Sequence, residues 1–174
     1  MLFHVSEEPD IDRFEPRPSP SADGLVVWAV DDARLRNYLL PRQCPRVTYY
    51  AGPDTAETDV VRFLGPSRAV VAVEIGWLDR IRGCRLFCYE LPPQPFTCID
   101  ECAGYFVSRE AVVPTRVHMF DDLLAALLTR GVELRFVPNL WPLRDAVVAS
   151  SLRYSMIRMP NALPRLSVNS STPC

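Results

Sequence analysis

Seventeen prolines stand against seven glycines in this chain of 174 residues, and no other feature narrows the fold as much. A proline locks φ and removes a backbone donor, so it closes a helix or strand or confines it to an edge. Pro41, Pro92-Pro93 and Pro160 each follow an apolar run and end it. The connections are therefore stiff and turn-rich, and the elements between them short.

Reading the segments between these breaks gives a strand at Leu2-Phe3-His4-Val5 and a helical turn or short bridge over 11–14. "EPRPSPSADG" (15–24) reads as a loop because it carries three prolines. "LVVWAV" (25–30) is a buried strand by its β-branched and aromatic content. "DDARLRNYLLP" (31–41) opens on a capping aspartate and stops at Pro41, which predicts a helix with Leu35, Tyr38 and Leu39 on one face. Further strands are expected at 46–52, 68–76, 84–92, 104–110, 116–120 and 132–138. Helices are expected at 55–65, 77–83 (one turn), 121–131 and 141–159. Strands outnumber helices and do not alternate with them. The pattern predicts an α+β fold with a split, curved, mainly antiparallel sheet and peripheral helices, in one domain over 1–160 with a polar tail over 161–174. Trp28, Trp77 and Trp141 read as core anchors.

The chemistry that composition excludes is specific. All nineteen basic residues are arginine, so neither a Schiff-base lysine nor a P-loop lysine exists here. A net charge of −2 supplies no field for a nucleic-acid backbone or an anionic membrane. No window approaches the length of a membrane span, and Met1-Leu2-Phe3-His4 lacks the features of a signal peptide. A cytoplasmic location follows as the expectation. Cys84, Cys88, Cys98 and Cys102 form two C-x3-C pairs. Their strand-like surroundings predict packed or reduced thiols, with no metal and no disulfide.

"LFHVSEEPDIDRFEPRPS" followed by "GLVVWAVDDARLRNYL" resembles the front end of ADP-ribosyltransferase-like domains. There a strand carries an H-x-[ST]-like element, an I-x-x-F turn follows, and a second strand leads to a helix bearing a tyrosine. The whole chain is also similar to a family of short bacterial proteins of unknown function. The transferase resemblance implies NAD as a substrate cofactor. It implies that His4 holds a ribose hydroxyl and Tyr38 stacks on nicotinamide, while backbone near Val5-Ser6 meets the nicotinamide amide. Arg17 meets the diphosphate, and Glu101 or Glu110 stabilises the positive charge that develops on the ribose. His4 is then expected to face a cleft floored by 25–30, with Tyr38 on one wall and a glutamate opposite. The acceptor stays open.

Two other readings stand beside this. One is a catalytically inactive member of the same fold that binds a nucleotide or a protein, with His4 a hydrogen-bonded structural residue. The other is an RNA 2′-phosphotransferase-like enzyme, which expects a basic cleft with a second histidine; His118 sits in an unsuitable context and nucleic acid is disfavoured by charge. The apolar stretch 141–159 is compatible with a homo-oligomer.

Overall fold

The computed structural model describes residues 1–19 and 21–165. In chain order the strands and helices are β1 (Leu2–Ser6), β2 (Arg17–Ser19), β3 (Ala22–Val30), α1 (Asp32–Leu35), β4 (Arg46–Tyr50), α2 (Glu57–Asp59), β5 (Ala69–Glu74), α3 (Leu78–Gly83), β6 (Leu86–Leu91), β7 (Thr97–Asp100), β8 (Tyr105–Ser108), β9 (Arg116–Phe120), α4 (Leu123–Leu128), β10 (Glu133–Val137), α5 (Leu140–Val148) and β11 (Arg153–Ile157). The chain divides into two compact units, Met1–Arg42 with Asp79–Arg130, and Gln43–Leu78 with Gly131–Cys174.

Unit 1 carries a seven-stranded sheet in the order β7-β8-β3-β1-β6-β9, with β2 paired to β3. Every pairing in it is antiparallel. Phe3 lies opposite Val30, so the opening histidine and the 25–30 segment are on neighbouring strands as expected. Leu2, Phe14, Val27, Ala29, Tyr89, Leu91 and Val112 form its buried cluster. The alternation of β1 and β3 delivers these residues to one face of the sheet.

Unit 2 carries a four-stranded sheet in the order β10-β5-β4-β11. Its β10–β5 pair is parallel and the other two pairs are antiparallel. All six residues of β5 are buried, which is why "AVVAVE" reads as a continuous apolar run. Val47, Tyr49, Val70 and Ala72 pack with Leu140, Val147 and Leu152 in this unit's core. The Glu74 carboxylate, 2% exposed, accepts hydrogen bonds from the backbone N–H of Leu140 and of Leu163. Both sheets together give the mixed, mostly antiparallel architecture the segment pattern called for.

Four local expectations are corrected. Within the 15–24 stretch β2 pairs antiparallel with β3: Pro18 sits in this three-residue strand, where the edge position spares it from donating to the ladder. The 31–41 helix lasts one turn. Asp31 does cap it, accepting from Arg34 N–H at 2.8 Å, but Asn37 and Tyr38 close i→i+3 turns onto Arg34 and Leu35. The residue before Pro41 disfavours helix, and Leu39 and Leu40 are both buried, which a continuing helix would not permit on one face. The 141–159 segment divides, because Ser150 Oγ donates to Val147 O at 2.7 Å and accepts from Leu152 N–H, ending α5 and releasing β11. Finally, the three tryptophans are half-buried rather than core anchors; β7 adds a strand where the sequence pattern marks none.

The 55–65 helix forms with a wider turn over Val60–Leu64, closed by Gly65 N–H onto Val60 O. Gly65 follows at φ +54° and ψ −126°, a backbone conformation that residues with a Cβ rarely adopt. Among the described residues no helix is long and apolar enough to cross a membrane.

Candidate functional site

His4 lies on the face of the unit 1 sheet that also carries Leu2, Val27 and Ala29, since it alternates with Phe3, which pairs with Val30. Its Nδ1 is 2.8 Å from the Trp28 carbonyl oxygen. A carbonyl only accepts, so the proton belongs on Nδ1 and the remaining lone pair on Nε2. Burial pushes the imidazole below its ordinary pKa; the Trp28 carbonyl opposes this, and the positive charges of Arg42 and Arg17 push the same way as burial. The ring is thus neutral at physiological pH. It presents Nε2 as an acceptor, which makes no hydrogen bond among the described residues.

A short loop fixes what lies over that ring. Tyr89, opposite His4 in the β1–β6 register, donates its hydroxyl to Glu8 O at 2.9 Å and accepts from Ile11 N–H at 3.2 Å. Phe14 meets the Tyr89 ring edge-on at 5.2 Å and the His4 ring at 4.6 Å. Phe14 and Val112 exchange two backbone hydrogen bonds of 2.8 and 2.9 Å, which close the far end of the loop. At the near end, Glu7 accepts from Arg42 N–H at 2.7 Å and pairs with Arg80 at 2.9 Å. Arg42 is thereby tied to the end of β1.

The other expected residues fall in three places. Arg17 is exposed on β2 opposite Val26, and Ser108 lies opposite Val27, so β2 and the end of β8 converge on adjacent residues of β3. Glu110 lies between Ser108 and Val112, two residues from the bridge that Val112 makes with Phe14. Ser108, 1% exposed, both donates to Glu110 O and accepts from Glu110 N–H through its hydroxyl, which sets the backbone of that exposed glutamate. Around Phe14 the structure therefore places the His4 and Tyr89 rings, while Arg42 and Arg17 act on His4 through their charge and Glu110 lies two residues before Val112, the backbone partner of Phe14. Ser6 serves a turn, its hydroxyl accepting from Glu8 N–H at 3.0 Å.

Tyr38 is elsewhere. Its hydroxyl donates to that of Tyr105 at 3.0 Å, and Tyr105 packs edge-on against Trp28 at 5.7 Å. Tyr105 pairs with Val30, which puts this aromatic group on the sheet face opposite His4. Glu101 is exposed in the β7–β8 turn, next to Cys102, whose carbonyl accepts from Arg34 of the one-turn helix. Sequence reading missed Phe14, Arg42 and Tyr89 as parts of the site. The I-x-x-F turn was a signal for Phe14; nothing in the sequence marked the other two.

Of the cysteines, Cys44, Cys84 and Cys88 are buried, and Cys98 and Cys102 are exposed. Burial pushes the thiols of Cys44 and Cys88 up to about 12 and raises that of Cys84. Cys174 lies outside the described residues. Among the described residues no group of three or more His, Cys, Asp or Glu side chains is arranged to hold a metal ion.

Comparison with known proteins gives one match, the family of unknown function DUF6886, over residues 3–162. No curated protein and no solved structure matches the chain. The matched span covers most of both units and includes His4, Phe14, Arg17, Arg42, Tyr89 and Glu110, and the chain belongs to this family of unknown function.

Proposed function

We propose that the chain binds NAD at His4 and is an ADP-ribosyltransferase-like enzyme that cleaves the nicotinamide–ribose bond. One observation carries the reading: a neutral imidazole, locked by the Trp28 carbonyl, offers Nε2 as an acceptor within reach of the positive charges of Arg42 and Arg17. A ribose hydroxyl is the donor such a nitrogen takes, and a diphosphate is the anion such guanidinium groups take. Glu110, rather than Glu101, is the carboxylate this reading assigns to the charge that develops on the ribose, because it lies two residues from Val112, whose backbone bridges to Phe14 against the His4 ring.

Tyr38 favours a second reading. With its hydroxyl donated to Tyr105 on the other face, Tyr38 is not the ring that meets a ligand at His4, which suits a nucleotide-binding module without turnover. Calorimetric titration with NAD separates both readings from the absence of a ligand. Binding that is lost in His4→Ala and weakened in Arg17→Ala supports the shared site. Nicotinamide release that disappears in Glu110→Gln while NAD still binds supports the enzyme; binding without release supports the module. No binding by the folded wild-type chain refutes both.

A further inference from the structure

We propose that β9 pairs antiparallel with β9 of a second copy of this chain, joining two unit 1 sheets edge to edge. The argument starts from how the sheet edges are protected. Exposed edge strands are templates for pairing and are blunted by prolines, bulges or shortness. β2 is three residues long, contains Pro18 and shifts register between Pro18 and Ser19. β7 shifts register between Cys98 and Asp100. β10 and β11, which border the unit 2 sheet, are mostly half-buried. β9 has none of these devices. It pairs with β6 through five residues without a shift, and four of its five residues are exposed.

The side chains of β9 suit a copy of itself. An antiparallel pair of identical strands keeps each residue's face only when one residue lies on the twofold axis, and here the central residue is His118. Val117 of one copy then faces Met119 of the other, twice over. These are two apolar side chains exposed at 51% and 55%, on the face where β6 places Tyr89 and Phe87. The charges agree with the same direction. Arg116 opens the strand and Asp121-Asp122 follow it, so reversing the second copy lays the basic end of each beside the acidic end of the other. Opposed residues in an antiparallel pair approach to about 4.5–5.5 Å between Cα atoms, within the range a disulfide spans.

The test uses the full chain. Sedimentation over about two decades of concentration is expected to show a monomer–dimer equilibrium. Val117→Glu with Met119→Glu, both at exposed positions, is expected to raise its dissociation constant by about tenfold or more, with circular dichroism unchanged. Register is read by cross-linking, with Cys98, Cys102 and Cys174 replaced by serine. His118→Cys is expected to form a disulfide-linked dimer on mild oxidation and Thr115→Cys is not. A wild-type chain that stays monomeric at the highest concentration overturns the proposal. So does a dimer indifferent to the paired glutamates, or one in which Thr115→Cys cross-links as well as His118→Cys.

Discussion

Replacing His4 with phenylalanine isolates what the imidazole does for unit 1. The ring packs at 4.6 Å from Phe14, and Nδ1 is 2.8 Å from the Trp28 oxygen, so phenylalanine keeps the packing and removes the donor. A carbonyl that loses its partner away from water costs about 1–3 kcal/mol, and because this one is part-buried the variant should be less stable by an amount toward the lower end near neutral pH. Its dependence on pH should differ as well. The folded chain holds His4 below the ordinary value of 6.5, so just under that pH the unfolded chain binds the extra proton and the folded chain does not. Stability from this group is complete above 6.5 and falls as pH drops toward the folded value, by up to about 1.4 kcal/mol per pH unit. Urea unfolding of wild type and His4→Phe from pH 8 to pH 5 should give curves that approach one another in acid. Nitrogen NMR of the imidazole, assigned with a His118→Ala chain, should show the Nδ1-protonated tautomer at pH 7. Parallel stability curves, or a His4 that titrates at or above 6.5, refute the reasoning.

Tyr89→Phe removes the hydroxyl that holds Glu8 O and Ile11 N, so the 8–14 loop should lose protection from amide exchange while β6 keeps it, at a cost of about 1–2 kcal/mol. Uniform exchange across both segments would count against the anchoring role. Glu74→Ala strips the acceptor from two backbone N–H groups, Leu140 and Leu163, and should destabilise unit 2 by about 3 kcal/mol or more, read as a shift in the denaturant midpoint. A shift under about 1 kcal/mol would mean water replaces the carboxylate. Brief alkylation of the native chain should modify Cys98 and Cys102 and spare Cys44 and Cys88, whose thiols are buried and pushed up to about 12. Peptide mass spectrometry decides it, and equal labelling of all four would contradict the burial.

What the sequence disclosed, it disclosed through residues whose local preference agrees with their tertiary role. "LVVWAV" and "AVVAVE" are strands because their β-branched residues meet a buried sheet. Asp31 and Asp122 cap helices because a short acceptor two or three residues before free N–H groups has little else to do. The failures have a common cause in long-range partners. "LRYSMIRM" continues an apolar helix plausibly, and only pairing with Arg46–Tyr50 makes its second half a strand. Pro18 forbids a central strand but not an edge one, and the sequence does not say which edge exists. Of the site, His4, Arg17 and Glu110 were named from their order along the chain. That the Tyr38 hydroxyl meets Tyr105 on the sheet face away from His4 is not legible in the sequence, because which face of a strand meets which partner depends on register.

Neither unit is one continuous stretch of chain, and that governs when each is able to form during synthesis. Translation delivers β4 and β5 early, yet β5 waits for Glu133–Val137 and β4 for Arg153–Ile157 before either sheet edge is covered. Unit 1 begins with β1 and acquires β6, the strand beside it, only after the whole first segment of unit 2 has passed the ribosome exit. Such distant pairings are slow, because loop closure must precede the contacts that repay it. The apolar run of β5 is therefore exposed for longer on a nascent chain than on any chain refolded whole, which makes it the segment a ribosome-associated chaperone has most reason to hold.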